Sequence, residues 1–170
     1  MIRVEQVLDS WRTIRADTAN AVDDFPAGEL DYRPTPEVDA FGQIARHVLD
    51  ATDGLTGMLL AGEDDFTGPG FRDRMKSYMR PLPTPFTNAD LSQALRDSMD
   101  NLQKHFGARP AEFFAGMVTR FDGQKVTRLE MLQFIKEHEL THRSQLFMYL
   151  RLKGIVPATT RRRLAKQPGK

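Results

Sequence analysis

The composition is that of a globular protein: the chain has 170 residues, 40% of them hydrophobic and 28% charged, with a net charge of +1. It contains no cysteine, which excludes disulfides and a protein thiol nucleophile; a bound metal would need His, Asp or Glu ligands. No apolar run approaches the roughly 20 residues that span a bilayer. The first residues carry acids and lack the apolar stretch of a secretory signal, so we expect a cytoplasmic protein that does not enter a membrane.

Two segments in the first third of the chain have the apolar spacing of amphipathic helices. The first runs from about Val4 to Phe25. The second is predicted to begin near Asp39, a suitable N-cap residue, and to end near Gly62. Its apolar face includes Ile44 and other apolar residues that recur about once per helical turn.

The connection that follows, residues 61–86, is long and contains three glycines and four prolines. Loops of this size often serve as lids or binding loops. The segment 72–79 is compatible with a short helix. Arg72, Arg74 and Lys76 lie there among apolar residues. Two interpretations stay open: a cover that offers these cations and apolar surface to an anionic substrate, or an ordinary surface excursion.

Capping boxes predict where the third and fourth helices begin: Thr87 pairs with Asp90, and Thr127 pairs with Glu130. Gly154 is predicted to end the fourth and longest helix.

Strand signals are few, although residues 121–124 form a turn signal compatible with a short hairpin. Four amphipathic helices without a sheet predict an all-α fold, a four-helix bundle with a long loop between helices two and three, over residues 1–157. Residues 158–170 are predicted to be a basic, flexible tail, since the last 20 residues hold seven Lys or Arg and no acid. Contact of this tail with nucleic acid or a membrane is the alternative.

The fourth helix carries the string H-E-x-x-H, with His138, Glu139 and His142. The two histidines are one turn apart and share a helix face. At about 100° per residue, His142 falls near the middle of an apolar stripe that includes Ile135 and Leu146. Both imidazoles are therefore predicted to point into the bundle core. Two inward imidazoles favour a divalent metal over the alternative, core histidines bonded to carbonyls or water.

A zinc protease is excluded because its third ligand lies downstream of the string. No His, Asp or Glu follows His142. His47, on the flank of the second helix's apolar stripe, is the best third ligand. His105 is a weaker candidate, because a cation in the last turn before Gly107 also suits the helix dipole.

The sequence resembles the DinB/YfiT-like superfamily of metal-binding four-helix bundles over most of its length. The resemblance rests on the histidine that ends segment 41–47, the H-x-x-x-H pair in segment 138–145, and the ending at 149–157; segment 126–132 is also similar. Ser144 stands where many members have Gly.

The resemblance implies an up-down-down-up bundle, often a homodimer, in which His47, His138 and His142 bind a divalent ion such as Zn²⁺ or Ni²⁺. Members of the superfamily include thiol-dependent S-transferases and isomerases that use low-molecular-weight thiols. Nothing suggests nucleic-acid binding by the bundle.

The predicted function is that of a metal-dependent enzyme acting on a small molecule, foremost an S-transferase that uses a low-molecular-weight thiol. A hydrolase using metal-bound water and a non-catalytic interaction module with a structural or absent metal are the alternatives. Candidate catalytic residues are Glu139, Gln145 and Tyr149. Glu139 points about 60° away from His142, which suits a neighbour of the ligands or a surface acid. Gln145 and Tyr149 could contact substrate or could simply pack in the core.

Overall fold

The computed structural model describes residues 3–166, which form seven helices and a two-stranded sheet. In chain order these are α1 (Val4–Asp24), α2 (Phe41–Leu60), α3 (Phe71–Ser77), α4 (Asn88–Gly107), α5 (Ala111–Ala115), β1 (Met117–Thr119), β2 (Lys125–Thr127), α6 (Arg128–Leu152) and α7 (Ala158–Ala165). Within this range, no helix combines the length and the apolar character that crossing a membrane requires.

The four long helices α1, α2, α4 and α6 form a bundle in which α1 packs against α4 and α6, and α2 packs against the same two helices from the opposite corner. The first half of α1 meets the first half of α6 and the second halves of α2 and α4. Helices α1 and α6 therefore run in one direction, and α2 and α4 in the other. This confirms the predicted all-α bundle and its up-down-down-up order.

The helix ends follow local capping chemistry. Thr87 and Thr127 each accept a hydrogen bond from the backbone N–H of the acidic residue three positions on, and that acid accepts one in return. At the end of α6, Gly154 has a φ of 75°, and the next residue's N–H bonds the carbonyl of Leu150 at 2.9 Å. The start of α2 differs from the prediction: Ala40 is the N-cap, and the Gln43 side chain accepts its N–H at 2.8 Å.

Two short elements lie outside the bundle. The predicted turn at residues 121–124 joins β1 and β2, which pair antiparallel with Val118 opposite Val126. Helix α3 occupies the long connection after α2, at the place where a short helix was compatible with the sequence.

The basic C-terminal segment, predicted to be flexible from residue 158, contains helix α7 in its described part. Helix α7 lies against α1, where Arg162 donates to Asp17 at 2.6 Å and Arg161 donates to Asp24 at 2.8 Å. Its cations therefore neutralise acids of the bundle. Residues 167–170 of the predicted tail lie outside the described residues.

The apolar core consists of two clusters, one toward each end of the bundle. Between them lies a buried ion pair: Glu139 of α6 accepts from Nε and Nη2 of Arg15, both at 2.8 Å. Both side chains are at most 1% exposed. Trp11 and Thr18 also donate to this carboxylate, at 2.6 and 2.9 Å.

The remaining donors of Arg15 bond the other two bundle helices. Its guanidinium donates to the hydroxyl of Thr52 on α2 at 2.9 Å and to the carbonyl of Leu95 on α4 at 3.0 Å. One side chain of α1 thus contacts all three neighbouring helices. A buried ion pair needs such complete hydrogen bonding to offset the loss of hydration.

Replacing Glu139 by alanine is expected to destabilise the protein by about 3–5 kcal/mol, because Arg15 would remain buried without its counter-ion. The free energy of unfolding, followed in urea through Trp11 fluorescence and circular dichroism, measures the effect. Glu137→Ala is the matched control: Glu137 lies two residues away on the exposed face of α6, and its loss should cost under about 0.5 kcal/mol. Equal stabilities for the two variants would contradict the role of the pair.

Candidate metal centre

Three imidazoles converge between α2 and α6. His47 Nε2 lies 3.1 Å from His138 Nε2, which in turn lies 3.0 Å from His142 Nε2. All three nitrogens fall within 4.8 Å of one another. The i, i+4 spacing on α6 supplies two of these rings, and the antiparallel neighbour α2 supplies the third. The structure thus brings together the three histidines that the sequence selected as ligands.

The position of the cluster differs from the prediction of a site in the bundle core. His47 is exposed, and His138 and His142 are half-buried, so the cluster lies at the rim of the bundle. Glu139, which the apolar-stripe argument placed off the buried face, is itself fully buried. Compared with the prediction, α6 is turned about its own axis so that Glu139 faces Arg15 in the core. His138 and His142 then face α2 at the edge of the core.

A hydrogen bond orients the third ring. Nδ1 of His142 lies 2.7 Å from Oε1 of Gln145, one turn further along α6. With the proton on Nδ1 donated to this oxygen, Nε2 of His142 carries a free lone pair directed at the cluster. Gln145 therefore contacts a candidate ligand, whereas the sequence placed it as a contact for substrate or metal-bound water.

Burial favours the neutral form of two of the rings, His138 and His47. The pKa of His138 is lowered from 6.5 to about 4, first by burial and then by repulsion from His142 and His47. The pKa of His47 is also lowered, first by burial and then by His142. Neutral imidazoles present unprotonated nitrogens at pH 7, which is the state that binds metal.

The donor set fits a divalent ion. Zinc binds imidazole nitrogen at about 2.0–2.1 Å, so ligand nitrogens of a tetrahedral site lie roughly 3.3 Å apart. The observed separations of 3.0 and 3.1 Å need little adjustment to match this value. Three nitrogen ligands leave coordination positions open, as in catalytic rather than structural sites. The same donors also suit nickel.

His105, Tyr149 and Glu139 lie in surroundings that differ from those of the three clustered histidines. His105 lies in a separate pocket between α2 and α4, with Asp53 and Arg80. The Tyr149 hydroxyl donates to the carbonyl of Asp39 at 2.6 Å. The Glu139 carboxylate is occupied by the buried donors described above, so it is not a surface acid. A catalytic role for Glu139 and Tyr149 stays a prediction.

Two pockets flank the histidines. An apolar pocket of about 240 Å³ lies beside His47 and His138. A more polar pocket of about 430 Å³ lies on the other side, where its wall includes His142, Gln145 and the acids Glu37 and Asp39. Access to the cluster therefore comes from two surfaces of different chemistry.

Helix α3 presents its apolar side, and not its cations, to the first of these pockets. Phe71 and Met75 line it. Arg74 instead donates to Glu63 at 2.8 Å, Lys76 lies 3.5 Å from Asp73, and Arg72 is exposed. Binding of an anionic substrate by Arg72, Arg74 and Lys76 stays a prediction that these contacts do not favour.

Two residues of the apolar pocket, Phe121 at the hairpin turn and Phe134 on α6, were missed by sequence reasoning. They belong to elements that are distant in sequence from α2. One signal was present: Phe121 is a large apolar residue in a turn, where polar residues are usual.

Lowering the pH should destabilise the metal-free protein. The pKa of His138 is about 4 in the folded protein and about 6.5 in the unfolded chain. Between pH 4 and pH 6.5, the unfolded chain therefore binds a proton at His138 that the folded protein does not bind. The free energy of unfolding should therefore fall as the pH is lowered from 6.5 to 4. Urea titrations in the presence of EDTA measure this, and His138→Gln should show a shallower dependence. Identical pH profiles for the two proteins would contradict the assignment.

Comparisons with known proteins identify the family of this chain. The chain matches the DinB superfamily over residues 10–146, a range that contains all three histidines. No curated protein sequence matches it at a significant level.

Solved structures with a similar fold include two that are described by name. One is a DinB-like protein, YjoA, from Bacillus subtilis, with 17% identity and a TM-score of 0.69 over 88% of this chain and 92% of that one. The other is a mycothiol-dependent maleylpyruvate isomerase, with 16% identity and a TM-score of 0.64 over 85% of this chain. The match spans 61% of the isomerase. Identities this low show a shared fold alone. Since the superfamily match extends over most of its length, this chain belongs to the DinB superfamily.

Proposed function

We propose that the protein is a metal-dependent enzyme that transfers or rearranges groups on a small molecule with a low-molecular-weight thiol as co-substrate. The observation that carries the proposal is the convergence of three imidazole nitrogens at the rim of the bundle, with pockets on both sides. A purely structural metal is usually enclosed by four protein ligands. Here three candidate ligands lie between two pockets, and each pocket has room for a small molecule.

The protein's own residues would act as follows. His47, His138 and His142 would hold the metal through Nε2. Gln145 keeps the ring of His142 in the orientation and tautomer that this requires. A divalent ion held there supplies Lewis acidity, which lowers the pKa of a bound thiol or water. Glu139 contributes indirectly, because its ion pair sets the rotation of α6.

The thiol part of the proposal has two supports. The chain has no cysteine of its own, so a thiol nucleophile must come from outside. One solved structure with a similar fold is a mycothiol-dependent maleylpyruvate isomerase. The choice of zinc or nickel and the homodimeric state implied by the resemblance stay predictions.

Protein purified without chelator should contain about one divalent ion per chain. His142→Ala should lose it, and Gln145→Leu should bind it roughly 10- to 100-fold more weakly, because the orienting hydrogen bond is removed. Elemental analysis and competition with a chromophoric chelator measure both effects. His105→Ala is the matched control, since His105 lies in a different pocket. Absence of metal binding by the wild-type protein at or above pH 7 would contradict the proposed site.

The metal-loaded protein should accelerate thiol addition to model electrophiles. A panel of cysteine, glutathione, coenzyme A and mycothiol identifies the co-substrate. Activity should disappear after chelation and return with metal, while circular dichroism shows that the fold persists. Turnover in water without any thiol would indicate the hydrolase alternative. Binding of metal without turnover of any kind would indicate the non-catalytic module.

A further inference from the structure

We propose that the apolar pocket beside His47 and His138 binds an uncharged, apolar group of the electrophilic substrate, about the size of one aromatic ring, and discriminates against anionic electrophiles. This inference rests on the proposed function, because it names the substrate class for the same site. Four structural elements enclose the pocket, and its lining consists of His47, Ala51, Leu55, Phe71, Met75, Phe121, Phe134 and His138.

The size of the pocket suits a single ring. Its volume is about 240 Å³, whereas an apolar cavity of about 150 Å³ is enough to bind benzene. Two helical rows form its floor. On α2, Ala51 follows His47 by one turn, and on α6, Phe134 precedes His138 by one turn. A ring resting on Ala51 and Phe134 is therefore one helical turn from the candidate metal ligands.

The wall formed by α3 depends on two glycines of α2. A Cβ atom at Gly54 would lie 3.0 Å from the backbone oxygen of Met75, and one at Gly57 would lie 2.5 Å from Cβ of Tyr78. The separation at Gly57 is too short for real atoms, and the one at Gly54 is tighter than nearly all real Cβ contacts. The glycines thus allow α3 to lie directly on α2, which places Phe71 and Met75 over the pocket.

The hairpin supplies the outer wall. Phe121 is 46% exposed although it is large and apolar, and its ring lies 5.5 Å from that of Phe134 and 6.4 Å from that of Phe71. An apolar residue left this exposed at a turn contributes little to the core. It would become buried when an apolar group fills the pocket.

Charge near the pocket argues against an anionic group. None of the lining residues is an arginine or a lysine. The guanidinium of Arg120 lies 4.8 Å from the centre of the Phe134 ring, but it is paired with Asp122. Arg74 of the neighbouring helix is paired with Glu63. A carboxylate seated against Ala51 and Phe134, one helical turn from the candidate metal ligands, would lose hydration without gaining a cation from the lining side chains.

The transfer step for such a substrate conserves atoms and charge. The sulfur of the low-molecular-weight thiolate attacks the electrophilic carbon, a C–S bond forms, and the bond to the leaving group breaks. The leaving group departs with the electron pair, and the proton of the thiol passes to solvent. No oxidant or reductant is needed.

A matched pair of electrophiles tests the inference: benzyl bromide and 4-(bromomethyl)benzoate, which share a reacting carbon and differ by one carboxylate. Each enzymatic rate is divided by the uncatalysed rate with the same thiol from the panel above. We expect the enhancement for benzyl bromide to exceed that for the benzoate by at least about 10-fold. Equal enhancements would overturn the proposal.

Variants locate the effect in the pocket. Ala51→Phe adds a ring to it and should abolish the preference for benzyl bromide. Ala89→Phe is the matched control, because Ala89 lines a different pocket that contains none of the three histidines. Phe134→Arg, which adds a cation, should shift the ratio toward the benzoate by about 10-fold. Circular dichroism checks that each variant is folded, and Ala51→Leu replaces Ala51→Phe if the larger ring is not accommodated. An unchanged ratio in the pocket variants would contradict the assignment.

A binding measurement separates this inference from the proposed function. Benzyl alcohol and benzoate are unreactive analogues, and their binding to EDTA-treated protein, in which no open coordination position can take up the carboxylate, can be followed by ligand-observed NMR saturation transfer. We expect benzyl alcohol to bind, benzoate to bind at least about 10-fold more weakly, and Ala51→Phe to lose benzyl alcohol binding. If no electrophile turns over but this pattern holds, the proposed function fails and the pocket assignment stands. If benzyl alcohol does not bind, or binds equally to Ala51→Phe, the pocket assignment fails even when turnover is observed.

Discussion

The geometry of the bundle depends on the buried guanidinium of Arg15. It holds Glu139 of α6 by two hydrogen bonds, Thr52 of α2 by one and the backbone of α4 by another. Glu139 directly follows His138, and Thr52 lies five residues after His47. The network therefore orients both helices that carry the candidate metal ligands. Because an ion pair in an apolar core tolerates little misalignment, it restricts the rotation of α6 more tightly than apolar packing alone would.

The same network explains why the metal site lies at the rim. An α-helix turns about 100° per residue, so a fully buried Glu139 places its neighbour His138 well away from the centre of the core. His142 follows on the same side, and both rings reach His47 across the seam between α2 and α6. The burial is sufficient to keep His138 neutral. Enough of the cluster is exposed for small molecules to approach from two sides.

The sequence was sufficient for the bundle and for its histidines, because both depend on local spacing. Capping boxes at Thr87 and Thr127 and the one-turn separation of His138 and His142 are visible without a structure. The rotation of α6 was not predictable in this way. An acid is normally assigned to the surface, and burial of Glu139 becomes favourable only through Arg15, which lies 124 residues away in sequence.

The function of the long connection after α2 was also not predictable from the sequence alone. Its cations suggested an anionic ligand, but a seven-residue helix has two faces, and composition does not say which one meets the site. The close approach permitted by Gly54 and Gly57 turns the apolar face of α3 inward. Arg74 is left on the outer side, where Glu63 neutralises it. The substrate preference inferred for the pocket therefore follows from the packing of α3 on α2, an interaction between glycines and side chains about 20 residues apart.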